Sequence, residues 1–266
     1  MTTPYTLFTP PLGDPVWIPA DVRLAVPEKA AVDAGRLHTL IYLPWDDKYI
    51  ELVEPAYRAF FRAVLSYLHA RSTDVHVASC LPFMKELIQA EREPVDEQVA
   101  HVAFILHDSG WSQMSAAEIA ASLDVDGLAL SATATVPKLR HAQLGQELAQ
   151  RVLAEYAFQP TLTDAQKELI YLAILYHDRP AELSALGSIP ASVRVVCNTD
   201  HLWSFTHQNF WQDTVRKGVD PRAYWKNLGN DLDGYFVSEP GRRKARQLLA
   251  ERAAELKTWE EWVTLH

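Results

Sequence analysis

Four of the ten histidines lie in apolar stretches spread along the middle of the chain: His76 in Asp-Val-His-Val-Ala, His107 in Phe-Ile-Leu-His-Asp-Ser-Gly, His141 in Leu-Arg-His-Ala-Gln-Leu-Gly and His177 in Ile-Leu-Tyr-His-Asp. Apolar flanks predict burial, and one buried imidazole taken alone is most often a hydrogen-bonded core residue. Four such histidines on successive helices, with Asp108 and Asp178 directly after two of them and Asp200 on the next helix, ask for another explanation. Burying that many titratable groups without a shared partner is costly. A metal is a partner that suits them, because neutral imidazole ligates Fe, Mn, Zn, Co and Ni while carboxylate adds hard oxygen donors and compensates charge.

The elements that must position these groups can be read from periodicity and capping signals. From about Glu54 the residues Tyr57, Phe60, Phe61, Val64, Leu65 and Leu68 recur at helical spacing, so a helical domain starts there. Asp96 is placed to cap a helix carrying Val99, Val102, Ala103 and Leu106, with Gly110 expected to stop it just after the His107-Asp108 doublet. Ser115 with Glu118, and Thr163 with Gln166, have capping-box spacing, the second opening a helix that ends at His177. Leu144, Leu148, Val152 and Tyr156 follow His141 on a further helix, and Val193, Val196 and Cys197 lead to Asp200. Pro240 suits the first turn of a last, strongly charged helix over residues 241–256. The first fifty residues carry seven prolines and short extended-looking pieces such as residues 37–43, which disfavours regular helix there. The expected fold is all-α, with a proline-rich irregular arm or cap over residues 1–53, a helical metal-binding domain over 54–215 and a helical extension over 216–266 packed on the same body.

The ordered set His76, His107-Asp108, His141, His177, Asp200 resembles the HD superfamily of metal-dependent phosphohydrolases and its mixed-valent di-iron oxygenase branch. The resemblance covers roughly residues 71–206, about half the chain. It implies an HD-type helical bundle in which His76, His107, Asp108 and Asp200 hold one ion. His141 and His177, present as in the dinuclear members, then hold a second, with Asp108 bridging the two. The cofactors implied are two divalent or mixed-valent transition-metal ions, iron first, with Mn, Zn, Co and Ni as the other choices, and Asp108 and His107 are the residues at the centre of the chemistry. Two readings stay open. In one, a metal-activated water hydrolyses a phosphate ester of a small molecule or nucleotide. In the other, a di-iron pair oxidises a small polyol or phosphonate-like substrate. Breadth of the superfamily favours the first; the free-standing six-ligand form favours the second. A third reading, a non-catalytic small-molecule binding protein, expects lost ligands, and here the set is complete.

The chain also departs from the family. The doublet is followed by Ser109-Gly110-Trp111, with no basic residue to touch a substrate oxygen, and the paired histidines and Gly-Tyr-Pro string of cyclic-di-GMP phosphodiesterases are missing. Candidate substrate-binding groups are therefore Arg140, Lys138 and Arg179, because a guanidinium fork or an ammonium matches phosphate and carboxylate; the competing reading of each is a solvated helix end. Asp178 could be a ligand by analogy with Asp108, or could serve a helix terminus or an outer sphere. His101, six residues before His107, is about 600° round the helix and faces elsewhere. His201, His207, Trp203, Phe205, Phe210 and Trp211 are read as packing, with a pocket wall as the alternative.

A net charge of −9, from 25 bases and 34 scattered acids, repels nucleic-acid backbone and argues against a nucleic-acid partner. The basic turn around Arg242, Arg243, Lys244 and Arg246 is balanced by nearby glutamates and reads as a solvated face. Cys80 and Cys197 have neither disulfide nor zinc-ribbon spacing and are expected to be buried thiols. The longest apolar run, residues 169–176, falls far short of the ~20 residues of a membrane helix. With no leader-like pattern at Met1, the expectation is a cytoplasmic protein acting on an anionic or polyhydroxylated small molecule, away from membranes, its oligomeric state left open.

Overall fold

A computed structural model describes residues 5–8, 16–19, 45–115, 118–119, 132–216 and 219–265. Among these the chain is all-α apart from one hairpin, in which β1 (Tyr5–Phe8) pairs antiparallel with β2 (Val16–Pro19), Tyr5 opposite Pro19 and Phe8 opposite Val16. The arm expected to be irregular therefore holds one short regular piece; the extended segment expected at residues 37–43 lies outside the described residues. The helices are α1 (Arg58–Val64), α2 (Thr73–Ala90), α3 (Glu97–Leu106), α4 (Ala132–Glu155), α5 (Asp164–Tyr176), α6 (Pro180–Ala185) and α7 (Ala191–Leu202). After them come α8 (His207–Arg216), α9 (Pro221–Asn230), α10 (Leu232–Tyr235) and α11 (Glu239–Leu265). No helix among the described residues is long and apolar enough to cross a membrane.

Helix α3 is the axis of the bundle. Residues 99–106 are buried without interruption, as a helix enclosed on all sides requires, and α2, α5 and α7 pack around it. One residue ties three of these helices together at their N-termini. The Asp96 carboxylate accepts from Val99 N–H at 3.1 Å and from the Gln166 amide of α5 at 2.9 Å, while the Asp96 N–H donates to Ser192 Oγ of α7 at 2.9 Å. Gln166 is itself half of the Thr163 capping box that starts α5. With the start of each helix fixed, its length decides where its end falls. His107 and His177 take the C-terminal cap positions of α3 and α5, and Asp200 lies in the last turn of α7.

Gly110 has a different role from the expected helix stop. Helix α3 already ends at Leu106, and Gly110 sits inside a 3-10 turn, Ser109–Gln113. There its backbone lies directly against α4: a Cβ at Gly110 would overlap the His141 carbonyl oxygen and lie 2.5 Å from Gly145 N. Two glycines thus let the helix carrying His141 approach the turn that follows Asp108. The segment entering α2 is held under strain, with Arg71 and Ser72 both at φ 57°. Left-handed backbone at non-glycine residues costs of order 1–3 kcal/mol each and persists only where packing enforces it.

The C-terminal helix belongs to the same body. Buried Arg252 of α11 donates to Phe205 O at 2.8 Å and to Glu255 at 2.6 Å, and Glu255 also accepts from His207 Nδ1 at 3.1 Å and Trp211 Nε1 at 2.8 Å. Of the basic turn expected to be solvated, Arg242 and Arg246 pair with Glu239 and Lys244 with Glu86, but the Lys244 stem is largely buried against Phe83.

Because the α4 backbone leaves no room at Gly110, Gly110→Ala should destabilise the protein by about 3 kcal/mol, as overpacking does. Gly234→Ala, where nothing lies within 4 Å of the added Cβ, should be neutral or slightly stabilising. Urea denaturation of both variants checks this; equal midpoints would contradict the close approach.

Candidate metal centre

At the C-terminal ends of α3, α5 and α7, six side chains from five segments converge. His107 and His177 use the same device. Each donates its Nδ1–H to the carbonyl three residues earlier, His107 to Phe104 O at 2.6 Å and His177 to Ile174 O at 2.7 Å. A carbonyl only accepts, so in each neutral ring the proton is on Nδ1 and Nε2 presents its lone pair inward. This is the outer bond that typically orients a ligating histidine. The negative ends of the helix dipoles there also favour a cation.

Two groups of donors result, and they share Asp108. On one side, Asp108 Oδ2 lies 3.5 Å from His76 Nδ1 and 3.6 Å from His107 Nε2, while Asp200 Oδ1 is 3.1 Å from His107 Nε2 and 3.4 Å from His76 Nε2. On the other, Asp108 Oδ1 lies 3.2 Å from His141 Nε2 and 3.4 Å from His177 Nε2, and these two nitrogens are 3.1 Å apart. Within each group, His76–His107–Asp108–Asp200 and Asp108–His141–His177, the donor atoms lie within 4.8 Å of one another. The four histidines are all buried.

The geometry fits a cation and does not fit neutral, self-satisfied side chains. The Nε2 atoms of His107 and His177 face carboxylate oxygens, so a proton or a cation has to lie between them, and His76 Nε2 and His141 Nδ1 are buried with no hydrogen-bond partner. Ionisation follows the same logic. Burial opposes the Asp108 charge, but His107 and hydrogen bonds from His141, His177 and His76 outweigh it and hold the carboxyl well below the usual range; Asp200 is likewise held down, chiefly by His107. Burial lowers His76 and His141. For His177, burial is outweighed by the Asp108 hydrogen bond and the charges of Asp200, Asp108 and Asp178, and its pKa is pushed up to about 9. In the metal-free protein, then, a proton on His177 does part of the work a cation would do.

Aromatic rings brace the ligands. Phe104 stacks on His107 at 4.8 Å, Trp203 on His76 at 5.1 Å and Trp111 on His141 at 4.1 Å, and the Arg71 guanidinium lies 4.1 Å over the other ring partner, Trp111. Trp111 Nε1 also donates to Asp108 Oδ1 at 3.0 Å. Sequence reading missed this residue, noting only that no base stands there; the signal was an indole three residues after the doublet, where a tight turn brings it back onto Asp108. Trp203, grouped with core aromatics, proves to be the brace of a candidate ligand.

The three basic candidates divide. Lys138 reaches the edge of the site, its ammonium 3.1 Å from Asp178. The structure does not bring Arg140 or Arg179 to the centre, which corrects the expectation for both. Arg140 is about 100° round the helix from His141 and pairs at the surface with Glu118 at 2.7 Å. Arg179 is taken up by the end of α5, donating to Leu175 O at 2.6 Å and Glu182 at 2.7 Å and lying over the Tyr176 ring. His101 faces away from the site, as expected, with its Nδ1 on Glu97 O and its ring stacked on Tyr57. Both cysteines are buried free thiols.

No protein-family model matches the chain, and no curated protein and no solved structure matches it. What the structure supplies is therefore the centre itself: buried His/Asp groups able to hold metal, in an all-α frame.

Metal ligation requires neutral imidazole and so releases protons. At pH 7 the metal-free protein should carry a proton on His177, whose pKa is about 9, and Zn²⁺ or Mn²⁺ binding should expel it. Apparent affinity then rises with pH and levels off above about 9. Calorimetric titrations in buffers of different ionisation enthalpy should report about one proton released per chain; heats independent of the buffer would contradict this.

Proposed function

We propose that this protein is a metal-dependent enzyme of the HD type, with two ions held on either side of Asp108, and that it hydrolyses a phosphate ester of a small molecule or nucleotide. The observation that carries the reading is the division of the Asp108 carboxylate, Oδ2 toward His76 and His107 and Oδ1 toward His141 and His177. When bound, such a pair supplies Lewis acidity toward phosphate oxygens and an acidified water as nucleophile. The chain's own residues do the rest. Asp108 and Asp200 compensate charge, and the buried rings with their aromatic braces fix the donors and keep bulk water from behind the site. Lys138, half exposed at its edge, offers an ammonium to the substrate anion.

A second reading, a di-iron oxygenase acting on a small hydroxylated or phosphonate-like substrate, is favoured by one feature. The six donor residues are four imidazoles and two carboxylates, a nitrogen-rich set that suits iron. Iron spectroscopy on aerobically purified protein separates the two. Hydrolysis predicts phosphate release supported by Mn²⁺, Zn²⁺ or Co²⁺ without oxygen uptake, and a mixed-valent iron signal with oxygen consumption would overturn it.

Removing an outer-sphere partner typically costs 10–100-fold in metal affinity, so removing a shared ligand should cost more than about 100-fold. Asp108→Ala should therefore lose both ions and turnover while its far-ultraviolet circular dichroism stays helical. Asp178→Ala should retain the two ions. Full occupancy of both ions in Asp108→Ala, measured by elemental analysis, would contradict the bridging role.

A further inference from the structure

A third group of donors stands beside the first two. Asp178, Asp200 and His201 each offer one atom, and these atoms lie within 4.8 Å of one another. Donors bound to one ion at ~2.0–2.3 Å are at most about 4.6 Å apart, so little movement closes the set. His201 is oriented much as His107 and His177 are. Its Nδ1–H donates to Cys197 O at 2.8 Å, which leaves the Nε2 lone pair directed to Asp178 Oδ1, 4.0 Å away. That distance is beyond hydrogen bonding. The His201 side chain is 7% exposed, with Nε2 toward the Asp178 carboxylate and the Asp200 donor within 4.8 Å.

The cation now facing Asp178 is the Lys138 ammonium, at 3.1 Å from Oδ2 and 3.4 Å from Oδ1. Its side chain is 42% exposed on a flexible stem, so it can leave toward solvent. Lysine is a compact, mobile point charge and pairs here with Asp178 alone. A metal ion would satisfy Asp178 and His201 together.

The geometry points to a third cation subsite formed by Asp178, Asp200 and His201, for which Lys138 is a tethered competitor. Two carboxylates and one imidazole suit Mn²⁺ or a similar divalent ion, and three protein donors leave positions open for water or substrate oxygen. The subsite shares Asp200 with the centre proposed above and rests on that reading for its neighbouring ions. It gives a role to Asp178, placed like Asp108 directly after a cap histidine, whose donor oxygen lies within 4.8 Å of those of Asp200 and His201.

The test is an Mn²⁺ titration of the full, metal-free chain, with free Mn²⁺ followed by electron paramagnetic resonance. Wild type should bind two ions tightly and a third more weakly. Lys138→Met should tighten the third about fivefold or more, the scale on which a partly exposed ion pair competes. Asp178→Asn and, independently, His201→Gln should abolish the third ion and keep the first two. Saturation at two ions in both wild type and Lys138→Met overturns the subsite, as does an unchanged third ion in Asp178→Asn and His201→Gln. Fewer than two tight ions in wild type overturns the dinuclear centre together with it, so the count itself tells the two failures apart.

Discussion

The carboxylate of Asp108 is the point on which the centre depends, because it is asked to serve two sets of imidazoles at once. An anion buried among four histidines is tolerable only if positive charge is supplied on both sides, and its two oxygens are turned to opposite groups. Nearly every local feature of the fold near it works toward that orientation. The Trp111 indole holds Oδ1, the glycine pair lets α4 bring His141 within 3.2 Å, and the ends of α3 and α5 deliver His107 and His177 with the same tautomer.

Precision at this end of the bundle is created at the other. Asp96 joins the starts of α3, α5 and α7 through three hydrogen bonds, and the core between them is continuous from Val99 to the caps. Rigid helices of fixed length then convert the position of one residue into the placement of three donor residues at the opposite end. The arrangement also concentrates cost. Buried histidines, ionised carboxylates and the left-handed Arg71–Ser72 pair all lie at or beside the site, where strain and desolvation are commonly stored for function.

Much of this was legible in the sequence, for identifiable reasons. Helix starts at Asp96 and Thr163 follow from short-range capping chemistry, which needs only four residues to specify, and the structure shows both. The six candidate ligands stood out because histidine and aspartate in apolar helical settings need a partner, and the structure places all six together. What did not read out was direction and long-range contact. Arg140 looked nearer the centre than Lys138, yet a helical rotation sends it to Glu118, and a local helix end takes Arg179. Gly110 was legible as a glycine but not as a contact with α4, since its partner lies some thirty residues on. The pairing of Asp178 with His201 likewise exists only once α5 and α7 are packed.

The central claim is that Asp108 joins two cations. Crystals grown with Mn²⁺ and measured at its absorption edge test it directly, through the anomalous scattering of the bound ions. The account predicts two strong peaks about 3.5–4 Å apart, one bonded to Asp108 Oδ2 among His76, His107 and Asp200, the other to Oδ1 between His141 and His177. A single peak, or two peaks neither of which contacts Asp108, would contradict it.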